Sequence, residues 1–409
     1  MGRTFVVLGA GAMGRITVRD LAETAPAGST VIVADYAKRV AADVVRATPN
    51  RRRLAMRAAS ADASQPGVLA RLLRRHAAFA VINATHHRFN LAVMEACLTA
   101  GAHYCDLGGL FHQTRRQLEH DAAWRKADRL ALLGVGAAPG IVNVLARSAA
   151  DAMEEVHEIH VAVGGIDRTK GRPASPIGIS YSIQTVLEEA SQPAAVFTRG
   201  RWTFAPPMSD PQPVVFAAPV GRQHPALTLH SEVATLPLTY RRKGIRECTF
   251  RIAFGEDVTE RLAFMRSVGL LSTDPVSVGS TTVVPRDLLA RLFAQIPASP
   301  AWNGVPDEYE ILRVIVCGVK NGRHIAEIVD CHTPGIRAWK TGIDVDTGCP
   351  PSIAMQMLAR GEIDARGCVP PEIAIPATPF FRELERRGMT IRRRVSRLKA
   401  APTTKRRST

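Results

Sequence analysis

TFVVLGAGAMGRITVRDLAETA, residues 4–25, is the stretch of sequence that decides the fold. It opens with the short apolar run Thr4–Leu8, continues with the glycine-rich segment Gly9–Gly14, and ends in the helix-like stretch Arg15–Ala25. A buried strand, a G-x-G-x-x-G loop and a helix, in this order, form the fingerprint of dinucleotide-binding domains. The sequence therefore predicts a Rossmann domain at this end of the chain.

The three glycines of this loop have separate physical roles. Gly9 permits a tight turn, Gly11 lets the backbone approach a pyrophosphate, and Gly14 lets the helix pack closely on the strand. The phosphates then lie against free N–H groups at the positive end of the helix. We predict that this loop binds the cofactor, with contacts from Ala12 and Met13 as well as from the glycines.

The next strand, Thr30–Ala34, ends at Asp35, twenty-one residues after Gly14. An acidic residue at this position accepts hydrogen bonds from the adenosine ribose hydroxyls and repels a 2′-phosphate, which favours NAD. Lys38 and Arg39 follow closely, and a cation there accommodates that phosphate. We expect NAD as the cofactor and keep NADP as the alternative.

Strands and helices continue to alternate as far as residue 150. Further strands are predicted over residues 54–58, 79–84, 104–107 and 130–135. This alternation predicts an α/β domain with a doubly wound parallel sheet. From about Glu158 the strands follow one another with few helices between them, which predicts a second, α+β domain with a mixed or antiparallel sheet.

Composition and charge exclude several classes of protein. The net charge is +16, but much of the excess is concentrated in Arg51–Arg53 and in the segment after residue 385, without the interleaved aromatic residues of a nucleic-acid-binding surface. The chain has no apolar run long enough for a membrane span and no signal-peptide pattern. Its seven cysteines include no CxxC pair. We expect a cytoplasmic protein with no nucleic-acid or membrane partner and no metal site.

Several segments together resemble those of a known family. They are Gly9–Gly14, Val81–Cys97, His103–Gly109, Gly136–Asn143, Ser180–Glu189, Thr347–Ile353, Leu358–Ile363 and Gly367–Glu372. The chain resembles the saccharopine dehydrogenase-like family, in the branch of saccharopine reductase and lysine 6-dehydrogenase. The resemblance implies a homodimer whose C-terminal segment returns to the nucleotide-binding domain.

The domain boundaries follow from the pattern and the resemblance together. We expect a dinucleotide-binding domain over residues 1–140, completed by residues 345–395, and a substrate-binding and dimerisation domain over residues 141–344. Residues 396–409 are basic and are predicted to form a disordered tail.

The resemblance implies an oxidoreductase that acts on a C–N bond of an amino acid. The leading hypothesis is an NAD(P)-dependent oxidative deamination that gives an imine or semialdehyde, similar to that of lysine 6-dehydrogenase. One alternative is a condensing reductase that joins an amino acid to a semialdehyde, as saccharopine reductase does. Another is a protein that senses the dinucleotide without turnover. The expected small-molecule partner is an amino acid or an imine.

Ligands of parallel sheets bind where the strands end, so the residues after strands four to six are candidates for the active site. Ala84, Thr85 and Pro139 are predicted to contact the cofactor. Four residues are predicted to be catalytic: His86 and His87 as proton handlers near neutral pH, Asp106 as a holder of the substrate ammonium or of water, and Tyr104, which alternates with Asp106. A hydrogen-bonded loop histidine and a core tyrosine are the alternative interpretations.

Three residues are predicted to bind substrate. Arg241 belongs to a basic cluster around Gly244 and offers a guanidinium for a carboxylate, although a solvated basic turn explains it equally well. Ser180 and Tyr181 open the family-like helix, and the resemblance implies that they line the pocket.

Overall fold

The computed structural model describes residues 2–171, 182–296 and 304–397. Its first part alternates strands with helices: β1 (Thr4–Leu8), α1 (Ala12–Thr24), β2 (Thr30–Asp35), α2 (Lys38–Ala47), β3 (Ala55–Ser60), α3 (Pro66–Arg75), β4 (Ala80–Asn83), α4 (Asn90–Ala100), β5 (His103–Asp106), α5 (Leu110–Leu118), α6 (Asp121–Lys126) and β6 (Leu130–Leu132).

The middle part contains more strands than helices. In chain order it comprises α7 (Ile141–Ala150), β7 (Glu155–Asp167), α8 (Ile183–Ser191), β8 (Ala194–Thr198), β9 (Arg201–Ala205), β10 (Val214–Val215), β11 (Arg222–Gln223), β12 (Ala226–Leu227), α9 (Glu232–Thr239), β13 (Glu247–Ile252), α10 (Glu256–Ser267), β14 (Val276–Val278), β15 (Thr281–Val283), α11 (Pro285–Gln295), β16 (Glu308–Lys320) and β17 (Arg323–Thr333). The last part comprises α12 (Val345–Ala359), β18 (Gly367–Val369), α13 (Pro371–Ala374), α14 (Ala377–Glu385) and β19 (Thr390–Arg397).

The first sheet has seven parallel strands in the order β18-β6-β5-β4-β1-β2-β3. The strand order reverses between β1 and β4, and a crevice forms at such a reversal beyond the carboxyl ends of the strands. This architecture confirms the predicted doubly wound sheet.

The second sheet is mixed, as predicted. Its main path runs β19-β17-β16-β7-β13-β8-β9, with β12 also paired to β13. β7 and β13 run parallel, whereas the other neighbouring strands run antiparallel. Beyond this sheet, α8, α10 and α11 share a small apolar core of their own.

One apolar core joins the two sheets. Leu132 from the first sheet, Val144 from α7, Ile353 from α12 and Val314 from the second sheet all belong to it and are buried. Burial of such side chains stabilises the fold by about 1.5–3 kcal/mol each. The core therefore fixes the second domain against the loops at the carboxyl edge of the first sheet.

The C-terminal segment serves both sheets. β18 pairs with β6 and extends the first sheet, whereas β19 pairs with β17 and forms an edge of the second. Residues 390–395, which the sequence analysis assigned to the nucleotide-binding domain, therefore belong to the second sheet. The strand pairing with β17 places them there, and no local pattern in the sequence reports that pairing. Within the described ranges, the helices lack the combination of length and apolarity that crossing a bilayer requires.

Candidate active site

The glycine-rich loop between β1 and α1 has the geometry of a phosphate cradle. Gly9 has a φ of +98°, and a Cβ there would lie 2.8 Å from the Ala84 carbonyl oxygen. A Cβ on Gly14 would lie 1.9 Å from the Gly9 oxygen, so α1 packs directly on the loop. A Cβ on Gly11, in contrast, has no neighbour within 4 Å. The open space beside Gly11, at the first turn of α1, fits a pyrophosphate.

Asp35 ends β2 and connects the loop to the start of α2. Its two oxygens accept hydrogen bonds from the backbone N–H groups of Ala10 and Ala37, both at 2.9 Å. The side chain is half-buried, and Lys38 and Arg39 are exposed beside it. This position suits the hydroxyls of an adenosine ribose, with two cations within the next four residues for a 2′-phosphate.

Asp106 lies inside the first domain, with 1% of its surface exposed. Burial raises the pKa of its carboxyl group, and hydrogen bonds to the carboxylate oppose that rise. Five groups donate to its two oxygens: the backbone N–H groups of Gly108 (2.9 Å) and Gly134 (2.7 Å), and the side chains of Gln117 (2.6 Å), Tyr104 (2.9 Å) and Asn90 (3.2 Å).

This network decides what Asp106 and Tyr104 can reach. A carboxylate accepts about four hydrogen bonds, so five donors leave no oxygen lone pair for a substrate. Tyr104 has no exposed surface, and its hydroxyl group points at Asp106. The structure therefore buries both residues behind the loops instead of presenting them to a substrate, contrary to the expectation of direct catalytic contact. Their visible effect is to hold the loops after β5 and β6 together.

His86 and His87 lie at the end of β4, as predicted, and meet a residue of the second domain. The Nε2 atom of His87 lies 2.5 Å from a carboxylate oxygen of Glu188 in α8, and the Nε2 atom of His86 lies 3.9 Å from the same oxygen. Arg286 approaches the other oxygen of Glu188 at 3.8 Å. Burial and the neighbouring His87 lower the pKa of His86 to about 4, so His86 is neutral at pH 7.

The two histidines and Glu188 have potential metal-ligating atoms within 4.8 Å of one another. The 2.5 Å separation of His87 and Glu188 is that of a hydrogen bond, whereas two ligands of one tetrahedral zinc ion lie about 3.3 Å apart. Arg286 also already approaches the carboxylate. In this arrangement the cluster is a hydrogen-bonded contact between the domains.

Ala84, Thr85 and Pro139 lie at the carboxyl edge, although in different surroundings. Ala84 and Thr85 are half-buried beside the glycine-rich loop, and Thr85 donates a hydrogen bond to the side chain of Asn83 at 2.6 Å. Pro139 is buried, and its ring would lie 3.0 Å from a Cβ on Gly108. We infer that Ala84 and Thr85 border the cofactor cleft and that Pro139 shapes the loop behind it.

Two further segments of the chain approach this edge, and the first of them was not predicted from the sequence. Ser231 accepts hydrogen bonds from the Gly109 backbone N–H (3.3 Å) and from the Thr114 hydroxyl (3.0 Å). At the start of α12, the methyl group of Thr347 would lie 3.3 Å from a Cβ on Gly136. The polar triplet of residues 230–232 was the only local signal in the sequence for the first of these contacts.

The predicted substrate-binding residues do not join this group. Arg241 lies in an exposed one-turn helix. Its neighbour Lys243 binds the carbonyl oxygens of Ala150 and Met153 at the C-terminal end of α7, whereas the cleft lies at the N-terminal end of that helix. The ten residues of α7 span about 15 Å. Ser180 and Tyr181 fall outside the described residues.

Comparison with known proteins identifies the family. Residues 5–132 match the saccharopine dehydrogenase NADP binding domain, and residues 136–389 match the saccharopine dehydrogenase C-terminal domain. The chain is similar to saccharopine dehydrogenase (L-Glu forming) from Saccharomyces cerevisiae, with a TM-score of 0.70, 15% identity and coverage of 97% of this chain and 100% of that one.

Two further relatives match most of the chain. Carboxyaminopropylagmatine dehydrogenase from Synechocystis is 24% identical over 348 residues, which cover 82% of this chain and 84% of the relative. Carboxynorspermidine synthase from Vibrio cholerae is 26% identical over 300 residues, which cover 69% of each. The chain belongs to the saccharopine dehydrogenase family of NAD(P)-dependent oxidoreductases.

Proposed function

We propose that the protein catalyses the NAD(P)-linked interconversion of an imine and a secondary amine, joining an amine to an amino-acid semialdehyde. This is the condensing alternative of the sequence analysis, and the deamination of a free primary amine is the competing function. The observation that carries the proposal is a group of buried and half-buried carboxylates near the cleft of a chain whose net charge is +16.

These carboxylates come from four separate elements near the cleft. Glu188 in α8 meets His87, and Glu232 begins α9 directly after Ser231. Asp346, in the first turn of α12, is 2% exposed and shares a hydrogen bond with Glu310 of β16. Carboxylates grouped in this way favour a substrate that carries several ammonium or guanidinium groups.

The pair formed by Glu310 and Asp346 has a specific consequence. Burial and the nearby carboxylates raise the pKa of Glu310 to about 7 and raise that of Asp346 well above its ordinary value. Such a pair retains a shared proton near neutral pH. A cationic group of the substrate that approaches the pair lowers the pKa of the two carboxyl groups, so the shared proton is released and the cation balances the negative charge. We assign the distal cation of the amine substrate to this position.

The names of the two relatives support the same chemistry. Carboxyaminopropylagmatine and carboxynorspermidine are amines that carry a carboxyl-bearing aminopropyl unit. The aldehyde that generates such a unit by condensation with an amine is a four-carbon amino-acid semialdehyde, and reduction of the resulting imine gives the secondary amine. The alignments with these relatives cover 82% and 69% of this chain.

In our proposal, different residues of this chain bind the cofactor and shape the site. The loop from Gly9 to Gly14 and Asp35 hold NAD(P), which supplies or accepts the hydride when bound. His86 and His87 border the cleft as a contact with Glu188. Asp106 acts as a positioning residue, because its hydrogen bonds fix the loops that shape the site.

A substrate panel tests the proposal. The purified protein is mixed with NADH or NADPH, aspartate semialdehyde and one of several amines: agmatine, 1,3-diaminopropane, lysine or butylamine. We expect cofactor oxidation that requires both the aldehyde and the amine, with agmatine or diaminopropane at least tenfold better than the monoamine butylamine. Reduction of NAD(P)⁺ by lysine alone, without activity in the condensing direction, would show that the protein is a deaminating dehydrogenase instead.

A further inference from the structure

His230 lies between two carboxylates beneath the loops of the candidate active site. Its Nδ1 atom is 2.5 Å from a carboxylate oxygen of Glu232, and its Nε2 atom is 3.8 Å from a carboxylate oxygen of Glu189 in α8. The imidazole ring stacks on Phe250 of β13, with ring centroids 3.7 Å apart. The side chain is therefore fixed in orientation as well as in position.

The two carboxylates beside His230 favour its protonated form. Burial by itself lowers the pKa of an imidazole, but the carboxylates of Glu232 and Glu189 raise it, and the pKa of His230 lies above its ordinary value. Cys248 and Glu372 are further titratable groups on this side of the domain. Burial, Glu232 and Glu372 raise the pKa of the Cys248 thiol, so it stays neutral. The two carboxylates therefore favour the imidazolium form of His230.

The two ring nitrogens of His230 differ in their contacts with the described residues. Nδ1 is occupied by Glu232, whereas Nε2 has no hydrogen-bond partner within 3.5 Å among the residues that the structure describes. The next residue, Ser231, binds the Gly109 N–H, and its oxygen would lie 3.8 Å from a Cβ on Gly108. His230 is thus one residue away from the loop that follows β5, at the carboxyl edge where the ligands of such sheets bind.

The other histidines at this edge are less suited to donate a proton. His86 is neutral at pH 7, because burial and His87 lower its pKa to about 4. His87 already shares the proton on Nε2 with Glu188 at 2.5 Å. His230 is oriented by Glu232 at Nδ1, whereas among the described residues its Nε2 makes only the 3.8 Å contact with Glu189. This is the arrangement of a general acid or base.

We propose that His230 is the catalytic acid and base of the reaction, exchanging a proton between its Nε2 atom and the substrate nitrogen. This assignment rests on the proposed function. In the reductive direction the C=N double bond becomes a single bond. The carbon accepts the hydride that the reduced cofactor supplies, the nitrogen accepts the proton from Nε2, and solvent returns a proton to the imidazole. In the oxidative direction Nε2 accepts the amine proton.

The test compares three variants by kinetics and by NMR. His230→Gln keeps a polar side chain without an exchangeable imidazole proton, and Glu232→Gln removes the carboxylate that stabilises the imidazolium. His160→Gln is the matched control, because His160 also pairs with a glutamate, Glu158, at 3.2 Å, in a partly exposed position on the second sheet. The ring ¹⁵N signals of the histidines report protonation without cofactor or substrate.

We expect kcat of His230→Gln to fall about 100-fold or more, with unchanged cofactor affinity, and its pH profile to lose the decline at high pH. In Glu232→Gln this decline should begin at lower pH, and the ring signal of His230 should titrate at lower pH as well. His160→Gln should match the wild type in both readouts.

Two outcomes would overturn the assignment of His230, and a third would also refute the proposed function. Near-normal kcat with an unchanged pH profile in His230→Gln would exclude His230 as the proton donor. If that variant does not fold, an unchanged pH profile in Glu232→Gln has the same consequence. A wild-type protein that turns over no substrate of the panel refutes the proposed function itself, and this assignment with it.

Discussion

Replacement of Asp106 by asparagine tests the network that holds the active-site loops. The amide keeps one oxygen, and that oxygen must remain with the backbone N–H groups of Gly108 and Gly134, which cannot rotate away. The NH₂ group of the new asparagine then takes the place of the oxygen that accepts from Asn90, Tyr104 and Gln117, so donors face a donor. A buried donor without a partner costs about 1–3 kcal/mol. Partial rearrangement of the side chains leaves an expected loss of about 2–4 kcal/mol in the free energy of unfolding.

Urea denaturation followed by circular dichroism measures this loss. Asp364→Asn is the control, because the Asp364 side chain is 96% exposed and surface substitutions change stability by about 0.5 kcal/mol or less. An Asp106→Asn variant as stable as this control would refute the network. Normal stability combined with a large loss of kcat would restore the direct catalytic role that the sequence alone suggested.

Three further predictions concern the cofactor and pH. Gly11→Val should abolish cofactor binding, measured by calorimetry, because the new side chain occupies the space of the pyrophosphate. The variant should unfold like the wild type, since no atom lies within 4 Å of the new Cβ; retained affinity would contradict the phosphate cradle. Asp35→Ser should shift the kcat/KM ratio at least tenfold towards NADPH, because Lys38 and Arg39 remain to bind the 2′-phosphate; an unchanged ratio would show that those cations already decide it. His86 has a pKa of about 4 in the folded protein and about 6.5 when unfolded, so the stability that it contributes is present above pH 6.5 and is lost as the pH falls towards 4. Between pH 7 and pH 5, the free energy of unfolding of the wild type should therefore fall by on the order of 1–2 kcal/mol more than that of His86→Gln, as measured by urea titration. Equal decreases in the two proteins would contradict the burial of a neutral His86.

Local patterns predicted the first domain well because its elements are specified by neighbours in sequence. The strand over residues 4–8 has the predicted bounds, and the glycines define the loop that follows it. The chain between β5 and β6 forms two helices, α5 and α6, with a break at Glu119 and His120. Breaks of this kind depend on packing that the periodicity of side chains does not report.

The site was only partly predictable for the same physical reason. The end of each strand identified His86, His87 and Asp106, but their partners come from elements far away in sequence. Glu188 meets His87 across 101 positions of the chain, and no spacing rule connects them. The donors to Asp106 likewise come from four different segments, so the sequence did not show how completely its two oxygens are occupied.

The central claim is that this protein transfers hydride to the carbon of a carbon–nitrogen bond. Mass spectrometry of the product formed with NAD(P)D, deuterated at the transferring position of the nicotinamide, tests it most directly, with aspartate semialdehyde and the best amine of the panel as substrates. We predict a secondary amine that carries one deuterium, on the carbon that was the aldehyde carbon. A product without deuterium, or cofactor oxidation without a secondary amine, would contradict the account.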